Sequence, residues 1–440
     1  MTNPTRHAVP DEVFLDLAAG GGGAGAVAAL QAAQQSRRLL LLHGVRDLAA
    51  RADPDRARPV RDAYALITAV QRADPAAARA VLGYPTVASS ALRALTNLSG
   101  ASPDLQDCAD RLAAIAAAAA IRAGFPASVE LPATGARVVL PSLGMASGVG
   151  GDRVTVRSGP GGAAVGAVML PASPDEDGPG WTALYRLAAE HDGVSVGVTL
   201  DELDPDRMPG ADLAPRPLTP EQIARWRTTL DAAWALLVDR HRAVAHEVRS
   251  LISALTPLAA PAGAESSGTS TKAVGNVGMT PPRDARGLAV TLAHEVQHVK
   301  LTALIDIVPL TLPDDGGRYY APWREDPRPL AGLLQGAYAH LGITGFWRRE
   351  RTAGEGGAAE HAHIEFARWR AATARTIVTL LGSGRLTGAG ETFVAEMDRT
   401  LGAWCAEPVP PGAEARAAAA ADLHLARWRE RPHGEAVAPR

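Results

Sequence analysis

His294, Glu295 and His298 form a His-Glu-x-x-His pattern within Val290-Thr291-Leu292-Ala293-His294-Glu295-Val296-Gln297-His298-Val299-Lys300-Leu301. Neutral imidazole is the commonest metal ligand among side chains. A carboxylate beside two imidazoles can orient a ligand or take a proton from metal-bound water. On a helix, residues four apart stack on one face, so both rings can reach a single cation. No Gly or Pro occurs from Leu288 to Val308, and Val290, Leu301 and Ile305 share the histidines' face. The helix this predicts projects two imidazoles from an apolar strip. Three fixed letters recur by chance, and a buried histidine is usually a hydrogen-bonded core residue. The helical, mostly apolar context is what favours a metal here.

Two histidines leave such a site incomplete, because a catalytic metal takes a third protein ligand and keeps positions open. A metzincin would need Gly at 301 and His at 304, and Leu301 and Leu304 exclude it. Asp306, Glu325 or Asp326 could close a peptidase-type site. His340, among apolar neighbours in the next expected helix, could close it with a third imidazole.

The elements that must position these groups follow from pattern. Asp11 to about Ala50 reads as helix, interrupted by Gly20-Gly21-Gly22-Gly23; no Lys-Ser/Thr follows, so a flexible helix connection is expected and not a phosphate loop. Further helices are expected over Val60 to Ala73, Pro75 to Leu82 and Val87 to Ala123. From about Ser128 short strands separated by glycines take over. Gly159-Pro160-Gly161-Gly162-Ala163-Ala164 is followed by another strand pattern and not by the helix a dinucleotide site needs. Trp181 to Glu190 reads as a short helix and Val194 to Leu200 as a strand. The acidic Asp201 to Arg207 stretch lacks EF-hand spacing and reads as a solvated turn. Thr219-Pro220-Glu221-Gln222 starts a helix expected to reach Leu251, with His241 and His246 structural. Pro257 to Met279 has linker composition, or is an edge strand that holds an extended chain by backbone hydrogen bonds. Asp284 can cap the metal helix. Pro309 to Pro329 is a polar loop; Leu330 to Arg351, His361 to Leu381 and Gly390 to Cys405 are helices, and Pro432 to Arg440 is expected to be disordered. The fold class expected is α+β and mostly helical, with a central antiparallel β-rich region. The regions are helical 1–127, β-rich 128–215, and 216–440, the helical region built on the metal helix.

The composition, 47% hydrophobic and 21% charged, is that of a globular chain, and a net charge of −3 gives no reason to expect nucleic acid or an anionic membrane as partner. Two cysteines, Cys108 and Cys405, are too few for a disulfide framework. The polar start from Met1 to Glu12 has no signal-peptide pattern, so a cytoplasmic location is expected.

Several stretches together resemble the HExxH-type 2-oxoglutarate-dependent peptide β-hydroxylases, in the stand-alone form without a radical SAM cysteine cluster. They are Glu12 to Leu42, Val198 to Arg207, the metal helix, and above all Tyr320-Ala321-Pro322-Trp323-Arg324-Glu325-Asp326-Pro327-Arg328-Pro329-Leu330 running on to Tyr338-Ala339-His340. The resemblance implies an iron(II) oxygenase consuming 2-oxoglutarate and O₂ and acting on a side-chain β-carbon of a ribosomal precursor peptide. His294 and His298 carry over as ligands, with His340 the preferred third and Glu325 or Asp326 the fallback. The distal carboxylate of 2-oxoglutarate calls for a guanidinium, with Arg328 first and Arg324 second. Tyr319, Tyr320 and Tyr338 could donate to the cosubstrate or line the peptide site. Glu295 would then be a supporting group, whereas in the alternative, a cytosolic zinc metallopeptidase, it would be the general base.

Overall fold

A computed structural model describes residues 7–215, 217–259 and 265–431, so the expected disorder of Pro432 to Arg440 lies outside the described residues. Six helices come first: α1 Asp11–Ala18, α2 Gly23–Ala52, α3 Arg58–Ala73, α4 Pro75–Leu82, α5 Pro85–Leu98 and α6 Leu105–Arg122. Asp74 and Asp104 cap α4 and α6 by accepting from backbone N–H groups, and the end of α5 at Leu98 with the new start at Asp104 breaks the expected Val87 to Ala123 helix into two.

Seven short strands follow: β1 Ala127–Pro132, β2 Arg137–Leu140, β3 Gly144–Ser147, β4 Arg153–Gly159, β5 Gly162–Val165, β6 Val168–Met169 and β7 Trp181–Ala183. They form two antiparallel sheets, in orders β1-β4-β5-β6 and β2-β3-β7. Then come β8 Tyr185–His191, β9 Val194–Leu200, α7 Pro220–Arg240, α8 Arg242–Leu251, β10 Ala254–Pro257, β11 Ser267–Thr269 and β12 Asn276–Met279. The third sheet is mixed, in order β11-β12-β10-β9-β8, with β10 parallel to both β9 and β12. Trp181 to Glu190 is strand and not helix, because burial alternates along β8 with period two.

The remaining helices are α9 Ala285–Ile305, α10 Leu330–Ala353, α11 Gly356–Gly382, α12 Gly388–Cys405 and α13 Pro411–Glu430. The architecture is α+β and mostly helical. Among the described residues no single helix is long and apolar enough to cross a membrane. One apolar core joins α2–α6 to the first two sheets; a second packs the mixed sheet against α7–α10; a third gathers α1, α9, α10 and α12.

Two further departures from expectation matter. The helix from Thr219 breaks at His241 (φ −131, ψ 42), whose Nε2 lies 3.1 Å from buried Glu350, so α7 and α8 bend around a polar contact. The acidic Asp201 to Arg207 stretch is not solvated: Asp201, Glu202, Asp204 and Asp206 are all buried. Asp201 accepts from the N–H groups of Leu203 and Asp204 and from the Tyr84 hydroxyl at 2.7 Å. Asp206 pairs with Arg93 at 2.9 Å and with Arg111. Local capping plus two imported guanidiniums replaces the water these carboxylates lose.

The glycine run is likewise pinned and not loose. Gly20, Gly22 and Gly23 have positive φ, which glycine alone adopts without strain, and they reverse the chain between α1 and α2. The Gly20 and Gly21 carbonyls accept from Lys300 Nζ at 3.0 and 2.7 Å, and Gly20 also accepts from Gln297 Nε2. Lys300 is buried in α9 and completes its bonding with Glu247 at 2.9 Å. The N-terminal turn therefore locks onto the back of the histidine helix.

Candidate metal centre

α9 begins at Asp284, whose side chain accepts from the Gly287 N–H, and its length carries His294 and His298 onto one face. Their Nε2 atoms are 3.1 Å apart. Two ligands about 2.1 Å from one ion, at tetrahedral or octahedral angles, stand roughly 3.0 to 3.4 Å apart. The pair is thus spaced to share a cation. α10 packs along α9 and brings His340 to the same place, with ring centroids of His294 and His340 5.1 Å apart. The close approach of the two helices depends on Gly342, where an added Cβ would lie 2.6 Å from Gln297.

Hydrogen bonding fixes which ring nitrogens stay free. His340 Nδ1 lies 2.8 Å from the Gly336 carbonyl, which only accepts, so Nδ1 carries the proton and Nε2 the lone pair. His298 Nδ1 faces Gln335 Oε1 at 3.1 Å, and Gln335 is oriented by donating Nε2 to Thr302 at 3.2 Å. His298 Nε2 therefore also carries a lone pair, directed at His294 Nε2 3.1 Å away and able to bind a cation between them. His294 Nδ1 is buried without a partner among the described residues. Burial holds His294 and His298 below the usual imidazole range and pushes His340 down to about 3, keeping all three neutral. His294 keeps 18% of its side-chain surface open.

The donor chemistry fits an imidazole-bound divalent ion, while the enclosure is not drawn tight. Among the described residues no group of three His, Cys, Asp or Glu side chains is gathered closely enough to hold a metal as it stands. The carboxylate alternatives lie elsewhere. Glu325 pairs with Arg431 at 2.7 Å, Asp326 with Arg324 and Arg328, and Asp306 with Arg37. Glu325 and Asp326 are both more than half exposed.

Glu295 is fully buried, with one oxygen 4.0 Å from His294 Nε2 and accepting from Ser267 Oγ at 2.7 Å. Its other oxygen has no partner among the described residues. Burial pushes the carboxyl up to about 7, partly offset by the serine. Ser267 belongs to β11, the edge of the mixed sheet, so Glu295 ties that strand to the histidines. The backbone bond from Thr280 N to Ser266 O sets the ladder phase, leaving the N–H and C=O of Ser267 and Thr269 facing outward. A cleft of about 220 Å³ runs between β11 and the first turns of α9, past Leu288 and Thr291.

Aromatic rings wall the third imidazole. Trp323 stacks on His340 at 4.3 Å and 15°, and Trp369 of α11 lies 4.6 Å from it. Gly336 makes the stacking possible, since a Cβ there would fall 2.3 Å from the Trp323 ring. The loop carrying Trp323 is closed by paired backbone bonds between Tyr319 and Arg328, and by Tyr320 OH against His424 Nδ1 at 2.8 Å.

Arg324 and Arg328 both hold Asp326, and Arg328 lies over Gly332 in the first turn of α10. Tyr338 does not join the imidazoles: it sits on the opposite face of α10 and spends its hydroxyl on the Leu17 carbonyl at 2.6 Å. Its expected role at the cosubstrate therefore has no free hydroxyl. Sequence reading missed Gln335, Gly336, Trp323, Trp369 and Ser267. Trp323 lies in the stretch that carries the resemblance and Ser267 in the expected edge strand, while Gln335 and Gly336 stand about one turn before His340; none of the four was given a role, and Trp369 carried no signal. Arg368 was missed too. It lies 4.4 Å over the Trp369 ring, and its nearest carboxylate, Glu365, is 3.8 Å away. Set against known proteins, the chain is matched by no family model and by no curated protein.

Proposed function

We propose that this protein is an iron(II)- and 2-oxoglutarate-dependent oxygenase that hydroxylates a side-chain β-carbon of a ribosomally made precursor peptide. The observation that carries this reading is the approach of the His340 ring to the His294–His298 pair, with two Nε2 lone pairs fixed by hydrogen bonds, while Glu325 and Asp326 are engaged in ion pairs. His294, His298 and His340 would hold the metal. Bound iron with the keto acid would supply the oxidising power: O₂ gives one atom to the substrate C–H bond and one to succinate, with loss of CO₂.

The chain's own residues do the rest. Gln335 and the Gly336 carbonyl hold two imidazole protons on the side away from the metal. Trp323 and Trp369 exclude water from one flank of His340. The outward groups of Ser267 and Thr269 offer an extended peptide backbone hydrogen bonds beside Glu295. For the distal carboxylate of 2-oxoglutarate, Arg328 would have to release Asp326. Arg368 stands one ring from His340 and among the described residues has only a long carboxylate contact, to Glu365, which favours it.

A zinc peptidase is the second reading, favoured by the 4.0 Å approach of Glu295 to His294 Nε2. The two separate on incubation with iron(II), ascorbate, labelled 2-oxoglutarate and peptides encoded beside the gene. Succinate release coupled to a gain of one oxygen atom in a peptide supports the oxygenase. Cleavage with zinc that is lost in Glu295→Gln supports the peptidase. Arg368→Gln should weaken 2-oxoglutarate binding about tenfold, more than Arg328→Gln does, by calorimetry on the metal-loaded protein. An unchanged affinity in Arg368→Gln removes that residue from the cosubstrate site.

A further inference from the structure

Strand β1 is an edge of the first antiparallel sheet, paired with β4 on one side only. The Ala133 N–H donates to the Asp152 carbonyl at 2.8 Å, which continues that ladder and sets its phase. Ala127, Val129 and Leu131 therefore bond to β4, while Ser128 and Glu130 turn their N–H and C=O groups outward. Both residues are exposed. The Glu130 carbonyl accepts from Arg153 at 3.2 Å. The other outward groups, both of Ser128 and the Glu130 N–H, have no protein partner among the described residues. Beyond this edge a groove of about 780 Å³ runs between β1 and the packed pair α3 and α6, past Asp62, Leu66, Gln106, Asp110 and Ala113. Its apolar floor is only partly buried, through Leu66, Ala113, Ala127 and Val129.

An open strand edge is a template for a second extended backbone, because it presents donors and acceptors at a spacing that a strand matches. Charge narrows the occupant further. Four ionisable side chains line the groove: Asp62, Asp110, Glu130 and Arg153. Arg153 is spent on Asp110 at 2.8 Å and on the Glu130 carbonyl, and the Glu130 carboxylate accepts only from the neutral Thr155 hydroxyl. Arg157, across the ladder from Ser128, lies outside the lining. The groove thus keeps a net negative charge. An added strand alternates its side chains: one set turns to the apolar floor, and the other falls beside Glu130, where a cation is favoured. A second copy of β1, related by a two-fold axis, would instead set Asp62, Asp110 and Glu130 against their own copies. We infer that the groove between β1, α3 and α6 docks an extended, lysine- or arginine-bearing peptide segment by strand addition.

The inference uses neither the imidazoles nor Glu295, so its failure and that of the oxygenase reading are separable. The probe is fluorescein-labelled Thr-Lys-Val-Lys-Val-Lys-Thr, with Thr-Glu-Val-Glu-Val-Glu-Thr as its control. Both are titrated by fluorescence anisotropy against wild type, His340→Ala, Ser128→Pro and an Asp62→Asn/Glu130→Gln variant. Proline at 128 deletes an outward N–H and leaves the ladder to β4 in place. The basic probe should bind wild type and His340→Ala alike, and the acidic control about tenfold more weakly or less. Ser128→Pro should weaken the basic probe about tenfold through the lost backbone bond, and the charge variant about fivefold. Should Ser128→Pro not fold, amide hydrogen exchange on the wild type decides, with the Ser128 and Glu130 N–H groups protected by the basic probe. Equal binding of the two probes, no binding of either, or loss of the basic probe in His340→Ala overturns the inference. So does unchanged affinity in folded Ser128→Pro, or protection that falls on β11 in place of β1. Protection at 128 and 130 without any probe, with a dimer in sedimentation, overturns it in favour of a second copy.

Discussion

Two clusters of metal-ligand residue types sit in this protein, and they have opposite fates. The Asp201 to Asp206 loop gathers four buried acidic side chains, and Asp201 and Asp206 spend both oxygens on backbone N–H groups, a tyrosine or arginines. The imidazoles of α9 and α10 are held from one side only, so that nitrogens on the other side stay free. Residue type does not separate a site from a scaffold; leftover bonding capacity does. The acidic loop spends its capacity on its own backbone and on Tyr84, Arg93 and Arg111, whereas His298 and His340 each keep an Nε2 lone pair.

The largest effect that sharpens the contrast is on metal loading. His340→Ala should lower iron(II) affinity by about a hundredfold or more, like His294→Ala, because a third ligand is worth several kcal/mol. Full stoichiometric loading measured by metal analysis after gel filtration would put His340 outside the coordination sphere.

Asp206→Ala should act on stability alone. It takes one of two carboxylates from part-buried Arg111, which keeps Asp107 at 2.8 Å, so the cost should fall below that of an uncompensated buried charge, at about 1 to 2 kcal/mol. Urea denaturation should show that loss while iron affinity stays at the wild-type value. A matching loss of iron binding would make the two clusters one system.

Gly336→Ala comes next. The added methyl must push Trp323 off His340, at about 1 to 3 kcal/mol for overpacking. Tryptophan fluorescence should change and the His340 ring should lose its orientation, seen as weaker iron binding with the fold intact. Unaltered fluorescence and loading would mean that the stack does no positioning.

Per pH unit, the smallest effect is in pH dependence. Burial first, then the charge of Asp201, pushes Asp204 up to about 7. A carboxyl with a raised folded-state pKa binds its proton more tightly folded than unfolded. Its contribution is complete below about pH 4, declines as pH rises to about 7, and then levels. Asp204→Asn should flatten that decline by about 1 kcal/mol per pH unit. An identical slope in the variant would show that Asp204 does not carry the proton.

How much of this the sequence discloses depends on the range of the interaction. Local patterns give the histidine helix, its Asp284 cap and the Thr219 capping box, because caps and 3.6-residue periodicity are settled within a few residues. Trp181 to Glu190 reads as helix because alternation in a seven-residue strand is short enough to be mistaken. Burial of the acidic loop is illegible locally, since it depends on Tyr84, Arg93 and Arg111, about a hundred residues earlier. The same holds for Ser267 under Glu295 and for the two tryptophans around His340. Tyr338 misleads for the opposite reason: two positions from His340 along the chain puts it on the far side of the helix.

X-ray absorption at the iron edge, on protein loaded with iron(II) and 2-oxoglutarate, tests most directly whether the α9–α10 imidazoles form one centre. Three protein imidazoles and a chelating keto acid are predicted, falling to two imidazoles in His340→Ala. A protein carboxylate in the first shell, or a spectrum unchanged by that substitution, would contradict the account.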